Sequence, residues 1–238
     1  MHEFPDSDGI LFDLDGTLIS GGKVLPWAHA LIEKSRGKFA IVTNDAEHTA
    51  TEIAALLQNL GIPVSAHRIV AAGMEAIRQI ATDMPSARIS MAASDSLQEY
   101  AIRLGLDVLD LKPDVVLIGR DRAFSYDKIR TLSNAVLAGA RLVICNPDRS
   151  HPAADGSIVP ETGALAASVL ACTGPVPHDI IGKPQPGLFL TGMNLIGSTP
   201  ARTFMIGDNP ETDGKGAAGI GIRFIHVGFK LCENDQFP

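Results

Sequence analysis

Ile10-Leu11-Phe12-Asp13-Leu14-Asp15-Gly16-Thr17 is the stretch on which the fold of this chain turns. Its first three residues are an apolar run of the kind that forms a buried strand, and two acids follow directly. In parallel sheets ligands bind beyond the carboxyl ends of the strands, so both acids stand at the active edge. One residue separates them, and on extended backbone their side chains leave on opposite sides. A turn begun by Gly16 can bring the second carboxylate round to the first. One acid can then attack a phosphorus centre while the other handles protons. An Asp-Gly turn that merely closes a strand would look the same, so the rest of the chain has to decide.

Working outward, short apolar runs recur, each followed by a segment of helical period. Lys38–Val42, Ala87–Met91, Asp114–Ile118, Arg141–Ile144, Thr203–Ile206 and Ile222–His226 read as further strands. Leu25–Ser35 and Ala46–Leu60 read as helices, with Pro26 suited to a first turn and Gly61 to a stop. Strands alternating with helices predict an α/β protein whose parallel sheets are covered on both faces.

Three more segments at strand ends carry chemistry. Thr43-Asn44, after Ile41-Val42, offers a hydroxyl and backbone amides to an anion, although Asn44-x-x-Glu47 also resembles a capping box. Gly182-Lys183-Pro184-Gln185-Pro186-Gly187 holds a lysine between restricting prolines, and Pro186 can open a helix over Gly187–Ile196. That lysine could neutralise both a nucleophilic carboxylate and an incoming phosphate, where an ordinary loop lysine is simply solvated. Phe204-Met205-Ile206-Gly207-Asp208-Asn209-Pro210-Glu211-Thr212-Asp213 again ends a strand in an acid, with a second acid five residues on. Asp13, Asp208 and the backbone carbonyl of Asp15 would give magnesium a partial octahedron of oxygens, completed by water and substrate. A polar loop of turn formers is the plain alternative.

Acid pair, threonine, lysine and terminal acids, taken in that order, resemble the haloacid dehalogenase (HAD) superfamily of phosphohydrolases. The matching residues are Asp13 and Asp15, Thr43, Lys183, and Asp208 with Asp213. Val24-Leu25-Pro26, Thr43-Asn44, Asn146-Pro147-Asp148 and Gly182-Lys183-Pro184 are similar to the NagD-like and 4-nitrophenylphosphatase-like subfamily, IIA. The resemblance implies a HAD-like Rossmannoid core with a parallel sheet, built from residues 1–70 and 176–238. It also implies a large α/β cap of the C2 type over residues 71–175. It implies Mg²⁺ as cofactor, a small phosphorylated metabolite as substrate, and an aspartyl-phosphate on Asp13. Asp15 would serve as acid and base, Lys183 as charge neutraliser, and Thr43, Asn44 and Lys183 as phosphate ligands. Asp13, Asp15 and Asp208 would hold the metal, with Asp213, Gly16, Thr17 and Asn209 in support. One departure is Asp45, where relatives often carry a second Asn.

Bulk properties exclude other classes. The chain has 238 residues and a formal net charge of −7, so it offers no basic surface to nucleic acid or anionic lipid. Cys145, Cys172 and Cys232 form neither a zinc motif nor a disulfide framework. The acidic N-terminus is unlike a signal peptide. No stretch approaches the ~18 apolar residues of a membrane span. A cytoplasmic protein, monomeric or homo-oligomeric, is the expectation. Gly214-Lys215-Gly216-Ala217-Ala218-Gly219 matches GxGxxG in form, but it begins several residues after its strand, where a dinucleotide site needs an immediate turn. A phosphoryl-accepting signalling domain would need neither Asp15 nor the large insertion. A phosphomutase of the same superfamily would differ only in its acceptor.

Overall fold

The computed structural model describes residues 9–153 and 156–227. In chain order its strands begin with β1 (Gly9–Phe12), β2 (Ile19–Ser20), β3 (Lys23–Val24), β4 (Phe39–Thr43), β5 (Ile69–Ala71), β6 (Arg88–Ala92) and β7 (Asp107–Val108). They continue with β8 (Val115–Ile118), β9 (Arg141–Ile144), β10 (Ser150–Pro152), β11 (Ile158–Pro160), β12 (His178–Ile180), β13 (Thr203–Gly207) and β14 (Arg223–His226). The helices are α1 (Ala28–Lys34), α2 (Ala50–Asn59), α3 (Ala72–Asp83), α4 (Asp95–Arg103), α5 (Tyr126–Leu137), α6 (Thr162–Thr173), α7 (Gly187–Ile196) and α8 (Lys215–Gly219).

The chain divides into two compact units. The first comprises Met1–Thr43, Ala50–Val70 and Lys183–Pro238; the second comprises Asn44–Thr49 and Ala71–Gly182. Each contains a five-stranded sheet, which is the mixed α/β architecture with parallel sheets expected from the alternation of elements.

In the first unit the strand order is β14-β13-β1-β4-β5. β1 lies parallel to both β13 and β4, and β13 parallel to β14. Every residue of β1, β4 and β13 is buried, as strands covered on both faces require. Helix α7 lies close against this sheet. A Cβ on its Gly192 would press on Val42 and Leu11, so glycine is what lets helix and strands approach.

The second unit's sheet has the order β12-β9-β8-β6-β7, with each neighbouring pair parallel. Its core joins Val116, Ile118, Leu142 and Ile144 of the sheet to Leu132 and Val136 of α5 and to Val169 of α6. This unit runs to Gly182 rather than 175, because β12 pairs with β9. His178-Asp179-Ile180 is too short and too polar to announce itself as a strand.

It also claims Asn44–Thr49, and here the expected helix over Ala46–Leu60 is corrected: α2 starts only at Ala50. The Asp45 carboxylate accepts from the backbone N–H of Glu47 and His48 at 2.8 and 2.7 Å, which makes a side-chain turn instead of a helix start. The carbonyls of the same segment are taken by distant partners. Gly73 N–H donates to Asp45, Arg120 N–H to Ala46, and the Ser94 hydroxyl to Glu47. The capping box does not form.

Cys145 is buried, and burial pushes its thiol up to about 12, whereas Cys172 is exposed rather than packed. Cys232 lies outside the described residues. Among those described, no helix is long and apolar enough to cross a membrane.

Candidate active site

Three parallel strands of the first unit end side by side, and each delivers one of the expected site residues there. Asp13 follows β1, Thr43 closes β4, and Asp208 follows β13. Register fixes this alignment, since Phe12 pairs with both Ile206 and Ile41. Lys183, the first residue of the chain's return to this unit, reaches the same place. Its Nζ donates to Asp13 Oδ1 at 2.6 Å and to Asp213 Oδ1 at 2.7 Å. All three partners are buried: Asp13 is 7% exposed, Lys183 2% and Asp213 0%. Burial of an ammonium is tolerable only with such pairing.

The acids also crowd one another. Carboxylate oxygens of Asp13, Asp208 and Asp213 lie within 4.8 Å of each other. Burial raises the Asp208 carboxyl to about 6, and the neighbouring charge of Asp13 pushes the same way. Asp213 is raised to about 7, first by burial and then by Asp13, with Lys183 pulling back. For Lys183, burial lowers the pKa, but the attraction of Asp13 and Asp213 outweighs it and holds the ammonium above its usual range. Three carboxylates against one ammonium leave an excess of negative charge in a confined space. An all-oxygen donor set of that kind fits a hard divalent cation.

The loops around the acids are built for close approach. Gly16 has φ +78°, and a Cβ there would overlap the Asp208 carboxylate. A Cβ on Gly207 would likewise overlap the carboxylate of Asp213. Thr17 is fully buried, donates weakly to Asp13 Oδ2 at 3.4 Å, and accepts from Trp27 Nε1 through its carbonyl at 2.8 Å. Asn209 opens a π-helical turn over Pro210–Gly214; its side chain accepts from Glu211 N–H and its own N–H donates to Asp213 Oδ2 at 3.2 Å. Asp213 therefore has one oxygen on Lys183 and the other on the turn.

Gly16→Ala is expected to keep the fold but displace Asp208. Because a misplacement of about 1 Å can lower rates ~10²-fold, kcat/KM should fall by about that factor, with weaker divalent-cation binding. Steady-state kinetics across a metal titration reads both effects, and unchanged metal dependence would contradict the packing.

Asp15 is exposed, and the carboxylates that gather are those of Asp13, Asp208 and Asp213. Asn44, one residue beyond Thr43, falls in the second unit, where its Nδ2 donates to Asp148 Oδ2 at 2.9 Å and its carbonyl accepts from Asn146 Nδ2 at 2.5 Å. Asn146 and Asp148, open between substrate lining and a plain turn in the sequence, thus anchor the loop that follows Thr43. A contributor that sequence did not flag is His226, whose Nε2 sits 2.8 Å from the Asp208 carbonyl. Its only sequence signal is its place at the end of a strand neighbouring β13. The GxGxxG residues have a packing role: a Cβ on Gly216 would overlap the Phe189 ring.

A model of the haloacid dehalogenase-like hydrolases matches residues 8–221. A dihydroxyacetone phosphatase of Corynebacterium glutamicum is 30% identical over 220 residues, covering 91% of this chain and 79% of that protein. Among solved structures, a glycerol phosphate phosphatase from Mycobacterium tuberculosis in complex with magnesium superimposes with a TM-score of 0.86 at 27% identity, over 93% of this chain and 68% of that one. A 4-nitrophenylphosphatase from Thermotoga maritima shares the fold with a TM-score of 0.86 at 23% identity, over 100% of this chain and 94% of that one. Family match, fold and strand-end acids converge: the chain belongs to the haloacid dehalogenase-like hydrolase family.

Proposed function

We propose that this protein hydrolyses small phosphate monoesters in the presence of Mg²⁺, through an aspartyl-phosphate formed on Asp13. The observation that carries it is the buried ammonium of Lys183, 2.6 Å from Asp13 and 2.7 Å from Asp213, beside a third acid, Asp208. Phosphate monoester hydrolysis is extremely slow uncatalysed, and its catalysis rests on positioning and charge neutralisation. Asp13 and Asp208, with the carbonyl of Asp15, would hold the magnesium. Bound there, the ion lowers the repulsion between a carboxylate nucleophile and an anionic phosphate.

The chain's own groups do the rest. Lys183 fixes the Asp13 carboxylate through Oδ1 and so directs its other oxygen to attack. Exposed Asp15, two residues on, protonates the departing alkoxide and later deprotonates the water that attacks phosphorus. That water releases inorganic phosphate and returns Asp13 as a carboxylate. Thr43 supplies a hydroxyl to the phosphoryl oxygens together with nearby amides. Asn44, whose side chain donates to Asp148, orients the loop that follows Thr43. Asp213 holds Lys183 in place. The second unit serves as the cap that selects the leaving group, which fits relatives that differ in substrate: one is named a dihydroxyacetone phosphatase and another an acid sugar phosphatase.

A magnesium-dependent screen over sugar phosphates, glycerol phosphate, nucleotides and aryl phosphates tests the proposal. Release of phosphate that requires Mg²⁺ is expected, and no turnover of any phosphate ester would overturn it.

A pH dependence follows from the raised carboxyls. Folded pKa values of about 6 and 7 for Asp208 and Asp213 stand above the unfolded 3.8. Protons are then held more tightly in the folded state, so metal-free stability is greatest below pH ~4 as far as these groups decide, and declines as pH rises through ~7. Divalent cations bind the deprotonated cluster and reverse that loss. Magnesium should therefore raise Tm more at pH 8 than at pH 5 in thermal scans. An equal gain at both would contradict this account.

A further inference from the structure

The amino end of β4, at the opposite edge of the same sheet from Thr43, borders a cavity of about 190 Å³ lined by Gly37, Lys38, Phe39, His67, Arg68 and Ile196, with Leu195 at its rim. The five residues of β4 put it roughly 13 Å from the catalytic edge. We propose that this cavity is a second, non-catalytic binding site for a small phosphate-bearing anion.

Charge is the first argument. None of its lining residues is acidic, although the chain carries 27 Asp and Glu against 20 Lys and Arg. Among the described residues no carboxylate forms an ion pair with Lys38, His67 or Arg68. Other arginines of the chain behave differently: Arg78, Arg88, Arg120, Arg122 and Arg141 each face an acid. Cations gathered around a concavity without counter-charge repel one another and are relieved by an anion.

Geometry is the second argument. Arg68 is half-buried and fixed: its Nη1 donates to the carbonyls of Gly37 at 2.6 Å and Phe39 at 2.9 Å, and its guanidinium lies over the Phe39 ring with 5.0 Å to the centroid. Both carbonyls are satisfied by one nitrogen, so the Nε and Nη2 edge of the fork keeps its donors for a ligand. A planar, pre-oriented fork suits phosphate oxygens. His67, which lines the same cavity, has its Nδ1 on Ser65 Oγ at 2.7 Å, which orients the ring. Ile196 and the exposed Leu195 add an apolar wall suited to a carbon skeleton next to the phosphate.

The test uses full-length protein carrying Asp13→Asn, with magnesium, so that an ester is not consumed during titration. Amide signals of Gly37, Lys38, His67 and Arg68 are followed by two-dimensional NMR during titration with inorganic phosphate, with glycerol phosphate, and with chloride at matched ionic strength. Saturable shifts with either phosphate compound but not chloride are expected; the stronger response tells a free phosphate from an ester. Exposed Lys38 and His67 can be changed without touching the Arg68 bridge. Lys38→Ala with His67→Ala should weaken the response about tenfold or more, because each change removes a hydrogen-bond donor to the anion. These signals are separate from those near Asp13, so the outcome does not depend on catalysis. Shifts that never saturate, that chloride reproduces, or that survive the double change would overturn the proposal.

Discussion

Lys183→Met is expected to destabilise the metal-free protein by about 3–5 kcal/mol, the range for removing one partner of a buried ion pair. Methionine fills much the same volume, so the loss is electrostatic rather than a cavity. Asp213 is fully buried and Asp13 nearly so, and both would be left without their ammonium. The sign of the pH dependence is fixed by the same groups. Without Lys183 the Asp213 carboxyl, already raised by burial, loses the group that pulls its pKa down, so the deficit is largest where it must ionise. Urea unfolding in the presence of a chelator should show the full loss at pH 8 and a smaller one at pH 5, where protonation substitutes for the lost ion pair. A deficit independent of pH would mean that packing, not charge, is what Lys183 provides. Turnover should be lost as well, since the same ammonium directs the nucleophile.

Asp13→Asn is the second large effect, and it falls on rate rather than on structure. The amide is nearly isosteric, and Lys183 keeps Asp213 as a partner at 2.7 Å. Circular dichroism should therefore match the parent. An amide cannot form the acyl phosphate, and removal of a catalytic nucleophile elsewhere lowers kcat by about 10⁶. At least ~10³-fold loss of kcat is expected here in the presence of saturating magnesium. Residual activity within tenfold of the parent would transfer the nucleophile's role to another group.

Much of the candidate site was legible because Asp13, Thr43 and Asp208 each stand at the end of an apolar run, and runs such as Ile10–Phe12 and Thr203–Ile206 become strands whose ends are aligned by register. The helix over Gly187–Ile196 appears with the expected bounds. What escaped was set by distant partners. Nothing local in Asn44–Thr49 distinguishes a capping box from a loop. Gly73, Ser94, Arg120 and Asn146 decide it by taking the loop's carbonyls. Likewise β12 is a strand because β9 offers it an edge, not because His178-Asp179-Ile180 prefers to be extended. Asp213 looked like a supporting acid five residues beyond Asp208. The turn built by Asn209 carries it inward to full burial, where its charge has to be counted with the other two. The close approach at Gly16 was invisible for a related reason: the residue it must avoid lies far along the chain.

Chemical trapping tests the central proposal most directly. Borohydride reduces an acyl phosphate to the alcohol, so quenching the enzyme during steady turnover of a small phosphate ester with magnesium should convert Asp13 to homoserine. Peptide mass spectrometry would locate the change at position 13, and it should be absent without substrate and from Asp13→Asn. Conversion at another acid, or none while the enzyme is turning over under conditions that trap a known aspartyl-phosphate enzyme run in parallel, would contradict it.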